Sequence, residues 1–194
     1  MGRIEAFSDA VLAIILTVMV LDLRAPDEPG FPALWLLWPT FFAYGLSYAY
    51  VAIYWVNHHR LFSYARAVGG ELLWSNIALL FTLSLLPFST AYVGKHLLSP
   101  VAGAVYLVSL LSPSLAYYWL EKVICRTGEQ SHSALTYYRA TMRKCIAASA
   151  VYAAGAALSF VSPILALTIA GMVAISWILP WGPIDHFFLG AERE

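Results

Sequence analysis

Six apolar runs, each close to the ~20 residues that a helix needs to cross a ~30 Å hydrocarbon core, decide what this chain can fold into. They cover residues 3–23, 33–57, 72–93, 101–124, 142–161 and 163–181. In lipid a backbone has no water to satisfy its N–H and C=O groups, so runs of this length predict helices. The expected fold is all-α, a single six-transmembrane-helix bundle over residues 1–194 with no second domain. Charged residues make up 11% of the chain, less than half of the roughly 25% usual in soluble domains. The chain is therefore read as an integral membrane protein, and no nucleic-acid partner is expected of it.

The breaks between runs have physical causes. Arg24-Ala-Pro-Asp-Glu-Pro-Gly-Phe-Pro32 carries prolines, a glycine and charges and must be a loop. Asn57-His58-His59-Arg60 and Arg66 are expected to close the second run, and Lys95 and His96 to part the third from the fourth. Ser159, Ser162 and Pro163 mark the turn between the fifth and sixth. Pro39, Pro87 and Pro113 fall in or near helices, where a missing N–H and a ring clash predict kinks. The polar stretch from Glu121 to Tyr138 is expected to be the longest inner connection and to hold a short interfacial helix. In the fifth run Ser149, Ala153 and Ala157 recur every fourth position, as do Ala150 and Ala154, a spacing that predicts close helix packing.

Basic residues fix the expected orientation. With the N-terminus in the cytosol, Arg3, Arg60, Arg66, Lys122, Arg126, Arg139, Arg143, Lys144 and Arg193 lie inside, and only Arg24 and Lys95 outside. That bias predicts both termini in the cytosol. Glu5 and Asp9 interrupt the first run, which makes it a poor signal peptide. Cys125 and Cys145 are expected to be free thiols.

The chemistry gathers in two places. A charged and hydroxylated cluster, Arg3 to Asp9, opens the first helix, and an ionisable group carried into hydrocarbon must face protein or water. Asp9 lies about 9 Å along that helix at ~1.5 Å per residue. Further on, Ile14, Thr17, Val18 and Leu21 share one face. That face suits either ordinary packing or the lining of a pore shared between copies of the chain. In a pore, rings of Ile14 and Leu21 would form a constriction that gates by dewetting, and Thr17 would offer oxygen to a partly dehydrated cation. Asp22 at the outer mouth is either a carboxylate that concentrates cations or a solvated helix end.

The second place is the Trp55 to Phe62 block at the inner end of the second run. Adjacent histidines project ~100° apart on a helix, so His58 and His59 are poorly placed to share one metal, and no metal site is expected. Pairing these donors with Ser8 and Asp9, at a similar depth, would satisfy buried polar groups and hold the first helix in place. A titrating histidine there would also sense pH.

The opening Arg3-x-x-x-Phe7-Ser8-Asp9 resembles the motif of the transmembrane protein 175 family, the endolysosomal potassium channel and its bacterial relatives. The Thr17-x-x-x-Leu21-Asp22 continuation, the Asn57-His58-His59 block and the six-run length are similar to bacterial members. The resemblance spans essentially the whole chain, and its specific part is the first helix. It implies a homotetramer in a bacterial plasma membrane, with a central pore lined by the first helix and no carbonyl filter. This sequence has no Thr-Val-Gly-Tyr-Gly loop. Ile14 then matches the narrow hydrophobic ring, with Thr17 or Val18 and Leu21 above it. Arg3, Phe7, Ser8 and Asp9 match the structural motif, with Trp55, Asn57, His58 or His59 as partners. Membrane lipids and monovalent cations, K+ over Na+, are the implied partners. Potassium would pass near Thr17, and no cofactor is implied.

The leading function is therefore a potassium-selective cation channel, and the resemblance moves the Ile14–Leu21 face from packing toward pore lining. A proton-permeable or weakly selective cation channel is the near alternative. A small secondary transporter is the other, although neither repeated halves nor broken mid-membrane helices stand out. An intramembrane enzyme is not expected, because no Gly-x-Ser-x-Gly or His-Glu-x-x-His pattern occurs.

Overall fold

The computed structural model describes residues 2–179, and among these every regular element is a helix. The helices are α1 (Gly2–Leu21), α2 (Phe31–Leu36), α3 (Trp38–Ser63), α4 (Gly70–Leu83), α5 (Leu86–Lys95), α6 (Pro100–Thr127), α7 (His132–Leu158) and α8 (Pro163–Ile178). Short α2 aside, they form six rods, with α4 and α5 making one broken rod. Gly2–Leu21, Gly70–Lys95 and Pro100–Thr127 are long and apolar enough, by length and composition, to cross a membrane. Helix α8 is apolar and shorter. Helices α3 and α7 are longer but carry polar ends, with Asn57 to Arg60 on one and Arg139, Arg143 and Lys144 on the other. The sixth run was expected to reach Trp181; that residue and Arg193 lie outside the described residues.

Prolines set the breaks, though not all in the manner of a kink. Pro87 lies at the start of α5, and its ring would meet the carbonyl of Leu83, where α4 ends. Pro39 sits in the first turn of α3, where a missing N–H costs little, so it begins a helix and does not bend one. Pro113 lies inside α6, which runs on unbroken. Its lost bond leaves the Ser109 carbonyl to a neighbour, and the Ser112 hydroxyl lies 3.5 Å from it.

Two connections differ from expectation. The second helix does not stop at Asn57 but continues to Ser63, because the His58 side chain finds a buried partner on a neighbouring rod. No separate interfacial helix lies between Glu121 and Tyr138; α6 and α7 instead extend to Thr127 and from His132, joined by a tight turn. Gly128 makes that turn possible. A Cβ there would lie 2.6 Å from the Tyr64 carbonyl oxygen and 2.7 Å from that of Ile124. The Glu129 N–H donates to the Tyr64 carbonyl at 2.8 Å, and Arg66 pairs with Glu129.

Packing of α7 also departs from the small-residue reading. The residues it buries are Ala134, Tyr138, Thr141, Cys145, Ala148, Tyr152 and Gly155, stepping by three and four along one face. Ala150, Ala153, Ala154 and Ala157 are exposed on this chain, and Ser149 is half-buried, its hydroxyl 2.9 Å from that of Ser114. Tyr138, Cys145 and Tyr152 bring large apolar surface to this face, and Ala134, Ala148 and Gly155 are the small residues set among them. Cys125 and Cys145 are free thiols.

Candidate functional site

Helix α1 has two apolar faces that meet different fates. Ser8, Leu12, Ile15 and Met19 are buried, at steps of four, three and four, where α1 packs against α3, α4 and α5. Arg3, Phe7, Ala10, Ile14, Thr17 and Leu21 follow the same rhythm on the other side and are exposed, as is Val18. Ile14 is 60% and Leu21 74% accessible, a large apolar surface for one chain to leave uncovered. The Thr17 hydroxyl donates to the Ile14 carbonyl at 2.8 Å. With its hydrogen so engaged, the oxygen presents lone pairs outward, the polarity that suits a cation. Asp22 is exposed just past the helix end.

The inner half of α1 is tied down by a buried relay. Asn76 on α4 donates from Nδ2 to the Ser8 hydroxyl at 2.9 Å, and its Oδ1 lies 2.8 Å from His58 Nε2 on α3. Because an amide oxygen only accepts, His58 Nε2 carries the hydrogen. Ser8 in turn donates to the Ile4 carbonyl at 2.9 Å. Phe62 stacks on the His58 ring at 4.2 Å between centroids. Ser8, Asn76 and His58 are all buried, so each hydrogen bond satisfies a group that would otherwise stay desolvated and alone.

A second tie lies nearer the surface. Trp55 Nε1 donates to Asp9 Oδ1 at 2.9 Å, and His59 stacks on Trp55 with centroids 6.2 Å apart. The two histidines diverge as their spacing predicts, one inward to Asn76 and the other to the exposed Trp55.

The structure thus brings Ser8 together with His58 through an intermediary, and Asp9 directly together with Trp55. It does not bring Asn57 into this group. The Asn57 amide turns back to the Ile53 carbonyl, and its own carbonyl accepts from the Tyr117 and Tyr137 hydroxyls at 3.0 and 3.5 Å. Arg3 and Phe7 are exposed, and Arg3 forms no ion pair among the described residues.

Sequence reasoning missed Asn76, though a lone amide within the apolar 72–93 run was the available signal. It also placed Glu121 at the start of a polar connection. Glu121 is instead fully buried inside α6, and neither carboxyl oxygen has a hydrogen-bond partner among the described residues.

Comparison with known proteins agrees with this layout. Residues 3–87 match the family model described as endosomal/lysosomal potassium channel TMEM175. A potassium channel of Chryseobacterium sp. is 40% identical over 186 residues, covering 92% of this chain and 93% of that protein. The human endosomal/lysosomal proton channel TMEM175 is 37% identical over 76 residues, which are 33% of this chain and 15% of that one. The crystal structure of a lysosomal potassium-selective channel TMEM175 homolog from Chamaesiphon minutus superposes with a TM-score of 0.82 at 30% identity. It covers 92% of this chain and 96% of its own. An intramembrane enzyme is thereby set aside, and the chain belongs to the TMEM175 family of ion channels.

Proposed function

We propose that this protein is a potassium-selective channel of a bacterial plasma membrane, assembled as a homotetramer of six-span subunits around a pore lined by α1. The observation that carries the reading is the uncovered stripe of α1, opposite the face that holds the helix to its own subunit. Apolar side chains at Ile14, Val18 and Leu21 leave no polar group to a permeating ion except the Thr17 oxygen. Four such stripes turned to one axis would form a constriction at Ile14, with Thr17 or Val18 and then Leu21 above it and Asp22 at the mouth. A water-poor ring of this kind gates by excluding the ion's hydration shell, and potassium, the more weakly hydrated ion, crosses it more readily than sodium.

In this reading Ser8 and Asp9 hold the inner half of α1, with His58 as the relayed and Trp55 as the direct partner, while Arg3 and Phe7 of the same motif stand on its uncovered face. Both termini face the cytosol, in keeping with the excess of basic residues on that side. The relatives' printed names support potassium as the ion. Proton permeation is the second reading, and the name of the human relative is what favours it.

Purified protein in liposomes under a potassium gradient tests both. The expected result is a potassium flux that exceeds the sodium flux, without acidification traced by a pH-sensitive dye. A proton flux that persists when potassium is replaced would favour the second reading, and no flux of either ion would end the first.

A further inference from the structure

At the end of the bundle where α3 and α8 begin and α5 ends, a crevice of about 610 Å³ opens between these three helices. Its walls are apolar: Trp38 and Phe42 from α3, Leu98 from the α5–α6 link, and Ile164 and Leu167 from α8. The floor is closed because α5 lies directly on α3. A Cβ on Gly94 would be 3.2 Å from the Thr40 Cα.

The rim has a different character. Lys95, His96 and Ser99 stand along it, and Thr168 lies on the α8 side. Lys95 is exposed and forms no ion pair among the described residues. The acidic residues of the same end, Asp22, Asp27 and Glu28, belong to the α1–α2 connection, and none lines the crevice. The N-terminal ends of the 28-residue α6 and of α8 lie close by and add partial positive charge. Trp38, half exposed at the mouth, is the residue type that settles at headgroup depth.

An apolar slot with a cationic rim, at the boundary of a membrane-embedded bundle, selects a molecule that is greasy along its length and negative at one end. We propose that this crevice is a binding site for one anionic phospholipid, its phosphate at Lys95 and one acyl chain along Phe42, Ile164 and Leu167. The inference rests on the membrane reading of the fold and not on what the pore conducts. Because α5 forms the floor and also packs against α1, a seated lipid would brace the rod behind the pore helix.

Native mass spectrometry of the purified full-length channel, titrated with phosphatidylglycerol or phosphatidylcholine of matched chains, tests it. Phosphatidylglycerol should be held more tightly than phosphatidylcholine. Lys95→Gln should weaken phosphatidylglycerol by about fivefold, the size of one basic side chain's attraction to an anionic lipid surface, and leave phosphatidylcholine unchanged. Thr168→Trp, at an exposed position, should fill the slot and weaken both lipids. Equal binding of the two lipids with no effect of either variant would overturn the proposal. So would displacement of phosphatidylglycerol by inorganic phosphate, which would mark a headgroup site with no place for the chain.

Discussion

Replacing Ile14 by asparagine should raise potassium flux through the reconstituted protein by about tenfold, which corresponds to ~1.4 kcal/mol off the barrier. The side chain is 60% accessible and takes no part in the buried core of its own subunit. A surface substitution of that kind usually moves folding stability by no more than about 0.5 kcal/mol, so a change in flux reads the pathway and not the fold. An amide at the same height would hydrogen-bond water and let a partly hydrated ion pass. Flux in liposomes under a fixed potassium gradient checks this. An unchanged rate, with protein recovered intact, would remove Ile14 from the barrier.

Asn76→Leu should destabilise the subunit by about 3 kcal/mol: a stranded buried donor costs roughly 1–3 kcal/mol, and a lost buried hydrogen bond adds about 1 kcal/mol. The stranded donor is His58 Nε2 on α3, and the lost bond is the one Asn76 gives to the Ser8 hydroxyl on α1, which keeps its own bond to the Ile4 carbonyl. Against a typical total of 5–15 kcal/mol, a loss of about 3 kcal/mol is large. The buried Cys145 thiol provides the readout in a Cys125→Ala background, because it meets a maleimide dye only when the helices packed around it part. Its exposure on heating in detergent should come at a markedly lower temperature in the variant. Asn76→Asp, which keeps an acceptor for His58 but loses the donor to Ser8, should fall between the two. Labelling curves for Asn76→Leu that overlay the wild type would mean that the relay does not hold α1 in place.

Much of the architecture is legible in the residues because lipid leaves a backbone so few choices. A run such as Gly2–Leu21 has to be helical, and the proline-rich stretch after it is a loop as far as Gly30, where Phe31 and Pro32, expected in that loop, instead open α2. Boundaries at polar residues were less legible. Nothing local says that the helix should run through Asn57-His58-His59-Arg60; the reason is tertiary, an amide on α4 that meets His58. The same holds for Thr127 and His132, brought close by a glycine whose need shows only when the Tyr64 carbonyl lies against it.

On the candidate site the division is similar. Spacing alone could not choose between the faces of α1, since Leu12, Ile15 and Met19 are as apolar as Ile14, Val18 and Leu21. Three-dimensional packing separates them, burying the first set and leaving the second open. The expected partnership of Ser8 with a histidine was legible in outline, from depth. Its intermediary was not, because Asn76 lies on a different rod at a sequence distance of 68 residues from Ser8.

Thiol accessibility along α1 tests most directly whether its uncovered face meets the passing ions. The measurement uses a chain whose Cys125 and Cys145 are replaced by alanine, with a membrane-impermeant cationic methanethiosulfonate added from the side of Asp22. Modification of Leu21→Cys should abolish potassium flux, whereas Met19→Cys, buried against the subunit's own helices, should leave it unchanged. Full modification at position 21 with undiminished flux would contradict a pore lined by this helix.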